Sequence, residues 1–140
     1  MKYGELRIGG VVDGIHRCAM TTKEIGQKLV DLCKNGKNRE AMEQLYAPDI
    51  VSVEAAAPAG KPAESKGRDT AIERNKQWAA ANEVNGATVD GPYPNGDRFT
   101  VVFDFDLTRR SDKQHYHQKE VALYTVKNDK IVREDFFYTT

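Results

Sequence analysis

Glu120 is the residue that most invites chemistry. In the segment Phe99–Thr108, Phe99, Val101, Phe103, Phe105 and Leu107 alternate with Thr100, Val102, Asp104 and Asp106. A strand there has one apolar face and one polar face. With Glu120 on the concave side beside Phe103 and Phe105, its carboxyl is desolvated and its pKa rises, which makes it a proton donor near neutral pH. The competing reading is a surface glutamate, ion-paired with Arg133 or Lys119. Asp104 and Asp106, on the other side, read as a solvated convex face.

The turn of the terminal hairpin decides which face the last acids take. A two-residue loop at Asn128-Asp129 needs positive φ at both residues, whereas a three-residue loop, Lys127-Asn128-Asp129, needs it only at Asp129 and costs less. In that register Val126 faces Lys130, Tyr124 faces Val132, Ala122 faces Glu134 and Glu120 faces Phe136. Glu120, Tyr124, Glu134 and Phe136 then share the pocket face, while Val121, Leu123, Ile131, Arg133, Asp135 and Phe137 take the other.

Other side chains carry paired readings. Tyr46 is either core packing or a pocket hydroxyl. Trp78 reads as pocket wall, which can also stack a flat ligand. Asn75, one turn before it, can point a hydrogen bond inward. His115 and His117 flank Tyr116 and read as surface residues, since no carboxylate spacing along the chain makes a metal site with them. No Gly-rich phosphate loop and no activated Ser or Cys motif is present.

The elements that must position these residues follow from pattern. Thr21 and Glu24 fit a capping box ahead of Ile25, Leu29, Leu32 and Cys33, and Asn35-Gly36 supplies the stop. A second helix starts after Asn38 and ends before Pro48, with Tyr46 at its end. Ile50–Val53 reads as a strand. Ala55–Gly67 has no large apolar side chain and reads as a lid or binding loop. A third helix, capped by Asp69 or Thr70, runs to about Asn82. Strands follow at Val84–Val89, Phe99–Thr108, Tyr116–Val126 and Lys130–Tyr138, with Gly91–Asp97 as a turn cluster. The order α-α-β-α-β-β-β-β is that of an α+β fold, helices on one face of a curved antiparallel sheet. Residues 20–140 form a single domain. Residues 1–19, with a strand-like Leu6–Val12, read as an ordered extension or arm.

The chain of 140 residues has 21 basic and 21 acidic side chains. Zero net charge removes the electrostatic footprint of a nucleic-acid binder, and no apolar run reaches membrane-spanning length. Two widely spaced cysteines, Cys18 and Cys33, read as reduced and cytoplasmic.

The run Tyr46-Ala-Pro-Asp-Ile-Val-Ser-Val-Glu54 after a two-helix start resembles the ketosteroid isomerase-like superfamily, which includes nuclear transport factor 2, scytalone dehydratase and the SnoaL-like polyketide cyclases. The closing segment Glu120–Tyr138 is similar to the last hairpin of SnoaL-like proteins. The resemblance covers residues 20–138 and implies a cone-shaped sheet wrapped around a long helix, a hydrophobic pocket at its wide end, and usually a homodimer. It also implies roles: Glu54 matches the isomerase's carboxylate base and Glu120 its protonated acid. The isomerase's tyrosine falls at about Val30, which donates no hydrogen bond, so steroid isomerisation of that kind is not expected.

Two functions remain in view. One is a cofactor-independent acid/base enzyme of isomerase, cyclase, dehydratase or hydrolase type, acting on a small apolar molecule, with Glu54 as base and Glu120 as acid and with no metal. Its pocket would be lined by Tyr46, Asn75, Trp78, Phe103, Phe105, Tyr124, Glu134 and Phe136. The other is a non-catalytic ligand-binding or dimerisation module with the same pocket. In either case, the apolar convex residues Val102, Val121 and Leu123 point to a two-fold dimer.

Overall fold

The computed structural model describes residues 19–139. Leu6–Val12, Cys18 and all of the expected arm except Ala19 lie outside the described residues.

Helix α1 (Thr22–Lys34) begins as its capping box requires: Thr21 Oγ1 accepts from the Glu24 N–H at 3.1 Å, and Glu24 Oε1 accepts from the Thr21 N–H at 2.9 Å. Its apolar face buries Ile25, Leu29 and Val30. Helix α2 (Asn38–Leu45) buries Ala41 and Leu45, and the chain turns directly into β1 (Tyr46–Val53), so Tyr46 opens a strand. Helix α3 (Arg68–Ala81) starts from Gly67 and not from Asp69 or Thr70. The chain enters it straight from a strand, β2 (Glu64–Lys66), and the Gly67 N–H is already bound to the Ile50 carbonyl at 2.7 Å.

Strands β3 (Asn82–Asn95), β4 (Arg98–Arg109), β5 (His115–Lys127) and β6 (Lys130–Phe137) complete an α+β fold. The described sheet has the order β2-β1-β6-β5-β4-β3. The expected element order holds, with β2 added inside the loop at 55–67. The β1–β6 pair is parallel and the rest antiparallel; strands so distant in sequence have ample chain for a parallel connection. The helices cover one face. Between them and the sheet lies the core, with Ile25, Ile50, Phe99, Val101 and Ile131 at 1 % exposure or less.

Two further expectations fail here. Gly91–Asp97 is not a turn as a whole: β3 runs through to Asn95 with a bulge between Asp90 and Tyr93, and only Gly96 and Asp97 turn. Tertiary packing explains the continuation. Gly26 of α1 lies against this stretch so closely that a Cβ there would sit 2.8 Å from Pro92 Cβ.

The second failure is the terminal hairpin. Its turn has two residues, Asn128 and Asp129, with φ of 52° and 64°. Asn and Asp tolerate that conformation best among non-glycine residues, and Asp129 Oδ1 also accepts from the Met20 N–H at 2.9 Å. Lys127 therefore pairs with Lys130 and Val126 with Ile131; a bulge at Val132 then gives Thr125–Arg133, Tyr124–Glu134 and Ala122–Phe136. The shorter turn alone would have reversed the faces of β6, and the bulge reverses them again. Glu134 and Phe136 thus stay on the face of Glu120 and Tyr124, as expected, while Ile131, ahead of the bulge, goes into the core instead of onto the convex face. No helix among the described residues is long and apolar enough to cross a membrane.

Candidate functional site

A cavity of about 170 Å³ opens between the helices and the concave face of the sheet. That is close to the size of voids known to admit a single benzene ring. Its wall is aromatic where β4 meets α3: Trp78 and Phe105 lie 5.2 Å apart by ring centroid, and Phe105 stacks on Phe103 at 5.8 Å. Asn75, one turn from Trp78 on α3, also lines it.

Glu120 enters this wall from β5, directly across from Phe103. Gln118 Nε2 donates to Glu120 Oε2 at 3.0 Å. Burial pushes the Glu120 carboxyl up to about 7; the nearby charge of Glu54 adds to the rise and the Gln118 hydrogen bond opposes it. Arg133 does not relieve it, being turned to the convex face in a two-pronged pair with Asp135 at 2.9 and 3.0 Å.

Glu54 comes to the same cavity from the residue after β1. Its N–H donates to the Ala63 carbonyl at 3.0 Å, which fixes the chain as it leaves the strand. Tyr138 Oη donates to Glu54 Oε2 at 3.2 Å. Desolvation, followed by the negative charge of Glu54, pushes the Tyr138 phenol up to about 12, so it stays a donor.

Tyr46, Tyr124 and Phe136 also line the cavity. Tyr46 satisfies both of its readings: it is 2 % exposed, it faces the cavity, and its hydroxyl donates to Glu134. Glu134 is the exception among the expected lining residues. It is 2 % exposed and lies beneath the wall, where its Oε2 also accepts from Ser52 Oγ at 2.7 Å. Loss of water raises Glu134 to about 7, against the lowering effect of its Ser52 and Tyr46 hydrogen bonds. Its carboxyl accepts from the Tyr46 hydroxyl, and Tyr46 is the one of the two that lines the cavity.

Tyr138 and Gln118 were not among the expected lining residues. Both lie on alternations already in view, Glu134–Phe136–Tyr138 and Gln118–Glu120, and following each by one more step reaches them. His115 and His117 are exposed on the far side of the sheet. There the register sets Asp106 opposite His117, and the His115 ring contacts Asp106. The carboxylate missing along the chain is thus supplied from across the strand.

Comparison with known proteins agrees with this fold. Residues 20–138 match the family model of the SnoaL-like domain. A solved protein from Mesorhizobium loti, described as a proposed SnoaL-like polyketide cyclase and as a carbohydrate phosphatase, is 41% identical over 85% of this chain and 100% of its own, with a TM-score of 0.80. A proposed isomerase from Bacillus subtilis shares the fold at 17% identity and TM-score 0.70, over 86% of this chain and 90% of its own. An NTF2-like protein from Burkholderia thailandensis does so at 20% identity and TM-score 0.70, over 86% and 92%. Among curated proteins none matches. By its fold, its terminal hairpin and a family match spanning nearly all the described residues, the chain belongs to the SnoaL-like domain family.

Proposed function

We propose that this chain binds a small apolar molecule bearing a carbonyl or epoxide oxygen and moves a proton on it without a cofactor. Glu54 acts as the base and Glu120 as the acid. In the carbonyl case, Glu54 takes a proton from the carbon beside the carbonyl, the C–H electron pair forms a carbon–carbon double bond, the C=O π pair moves onto the oxygen, and that oxygen takes the proton of Glu120. The observation that carries this reading is that both carboxyls line one small cavity while Glu120 is held protonated to about 7. The description of the Mesorhizobium loti relative as a polyketide cyclase supports a carbonyl-bearing ligand. The reduced-thiol reading supports a cytoplasmic setting.

A second reading, a binding module without turnover, is favoured by Val30, which is 0 % exposed and stands where the isomerase's tyrosine donor is expected. An oxyanion site lacking one donor loses about 10²–10³ in rate.

Native mass spectrometry of the purified chain should reveal a retained small molecule, and NMR in D₂O should then follow exchange of its carbon-bound protons. Exchange that falls by about 10²–10⁴ in Glu54→Gln is the expected outcome. A retained ligand that does not exchange decides for the module.

The convex residues Val102, Val121 and Leu123, joined by Phe137 at 54% exposure, support a homodimer packed through this face. Light scattering at micromolar concentration should give the mass of two chains, and a stable single-chain mass would rule the dimer out.

A further inference from the structure

We propose that Asp106, His115 and His117 form a binding site for a divalent transition-metal ion on the face of the sheet opposite the cavity. One ligand atom from each of the three residues lies within 4.8 Å of the others. The arrangement follows from register. His115 and His117 are two apart on β5 and so project to the same side, with ring centroids 5.6 Å apart, and Asp106 on β4 stands directly across from His117.

Asp106 is oriented for the task. The His115 ring contact and the hydrogen bond from Asn85 Nδ2, at 3.3 Å, both fall on Oδ1, which leaves Oδ2 for an ion. Asn85 Nδ2 also donates to Thr108 Oγ1 at 2.9 Å, fixing the amide beside the site. Partners of this kind orient metal-bound carboxylates.

Donor chemistry names the cation class. Two imidazole nitrogens and one carboxylate suit zinc, copper or nickel, whereas magnesium and calcium prefer all-oxygen sets. Donors on a tetrahedral zinc ion stand about 3.4 Å apart. The three groups must therefore close in slightly, which the exposed histidine side chains can do by rotation. Three protein donors leave a coordination position for water.

The test uses the tag-free full chain, titrated with zinc chloride at about pH 7.5, above the ordinary pKa of a free imidazole. The readout is imidazole ¹H–¹⁵N NMR. Saturation at one equivalent is expected, with the His115 and His117 resonances moving together and magnesium chloride moving neither. His117→Asn and Asp106→Asn change surface side chains, and each is expected to weaken zinc binding by about tenfold or more, since loss of even an outer-shell partner costs that much. Independent movement of the two rings, an equal response to magnesium, or unchanged zinc affinity in Asp106→Asn would overturn the site.

Discussion

Strands β4 and β5 carry two chemistries back to back. On the concave side Phe103 pairs with Glu120 and Phe105 with Gln118; on the convex side Asp104 pairs with Lys119 and Asp106 with His117. Carboxyls on the two sides respond in opposite directions. Glu120, deprived of water, is pushed up to about 7, while Asp106, in solvent, is held below its ordinary value chiefly by the hydrogen bond with His115. A single step along a strand thus changes which influence wins: desolvation inside, a polar partner outside. The sheet separates a proton-holding cavity from an ionised surface without any further device.

The contrast breaks first, if at all, at Glu134, where the concave side closes completely over a carboxyl. Glu134→Ala removes the acceptor of the Tyr46 and Ser52 hydroxyls and leaves a void under the cavity wall. Urea unfolding should show a loss of about 3–5 kcal/mol. A loss below about 1 kcal/mol, ordinary for a surface position, would mean that the buried network contributes little.

The next effect is in pH. Glu134 holds its proton to about 7 in the folded chain against an ordinary 4.5, as Glu120 does. An acid whose pKa is raised by folding contributes its full stability below the unfolded value and loses it as pH climbs through the folded one. For Glu134, wholly out of water, the shift from 4.5 to about 7 corresponds to roughly 3 kcal/mol. Glu134→Gln cannot ionise, so the stability of wild type relative to this variant should fall between pH 4.5 and about 7. A flat difference would place the proton elsewhere.

How much of this was legible in the sequence depended on whether a feature repeats along one chain segment. The capping box at Thr21 and Glu24, the helix faces and the alternation that puts Phe99, Val101 and Phe103 on one face of β4 are all local, and the corresponding elements form as expected. Features made by two segments at once were not legible. The three residues of β2 carry no strand pattern and exist by pairing with β1. The bulge at Val132 leaves no mark in residue types, and only the parity of two offsetting changes kept Glu134 and Phe136 on the right face. The Asp106 and His117 pairing needed the β4–β5 register, which spacing along the chain does not contain.

A finer measure of the concave side is the titration of Glu120 itself. Carbon-13 NMR of side-chain carboxyls should place its midpoint near 7. The negative charge of Glu54 is the second cause of that rise, after desolvation. Glu54→Gln should therefore move the Glu120 midpoint downward, but not back to 4.5, because the burial remains. A midpoint that does not move would separate the two carboxyls and remove the coupling that an acid/base pair needs.

The smallest effect is expected one residue from the cavity wall. Asp104 follows Phe103 on β4, faces away from the cavity, and is flanked across the sheet by Thr88 and Lys119. A half-buried acid set across from an exposed lysine, with no ion pair between them, contributes about 0–1 kcal/mol, and its effect is screened by salt. Asp104→Asn should then change unfolding stability by no more than about 0.5 kcal/mol. It should also leave the Glu120 midpoint in place, since Asp104 lies on the opposite face of the sheet while Glu54 lines the same cavity as Glu120. An Asp104→Asn shift as large as that of Glu54→Gln would mean that charge is felt through the sheet, and the two faces could no longer be treated as separate environments.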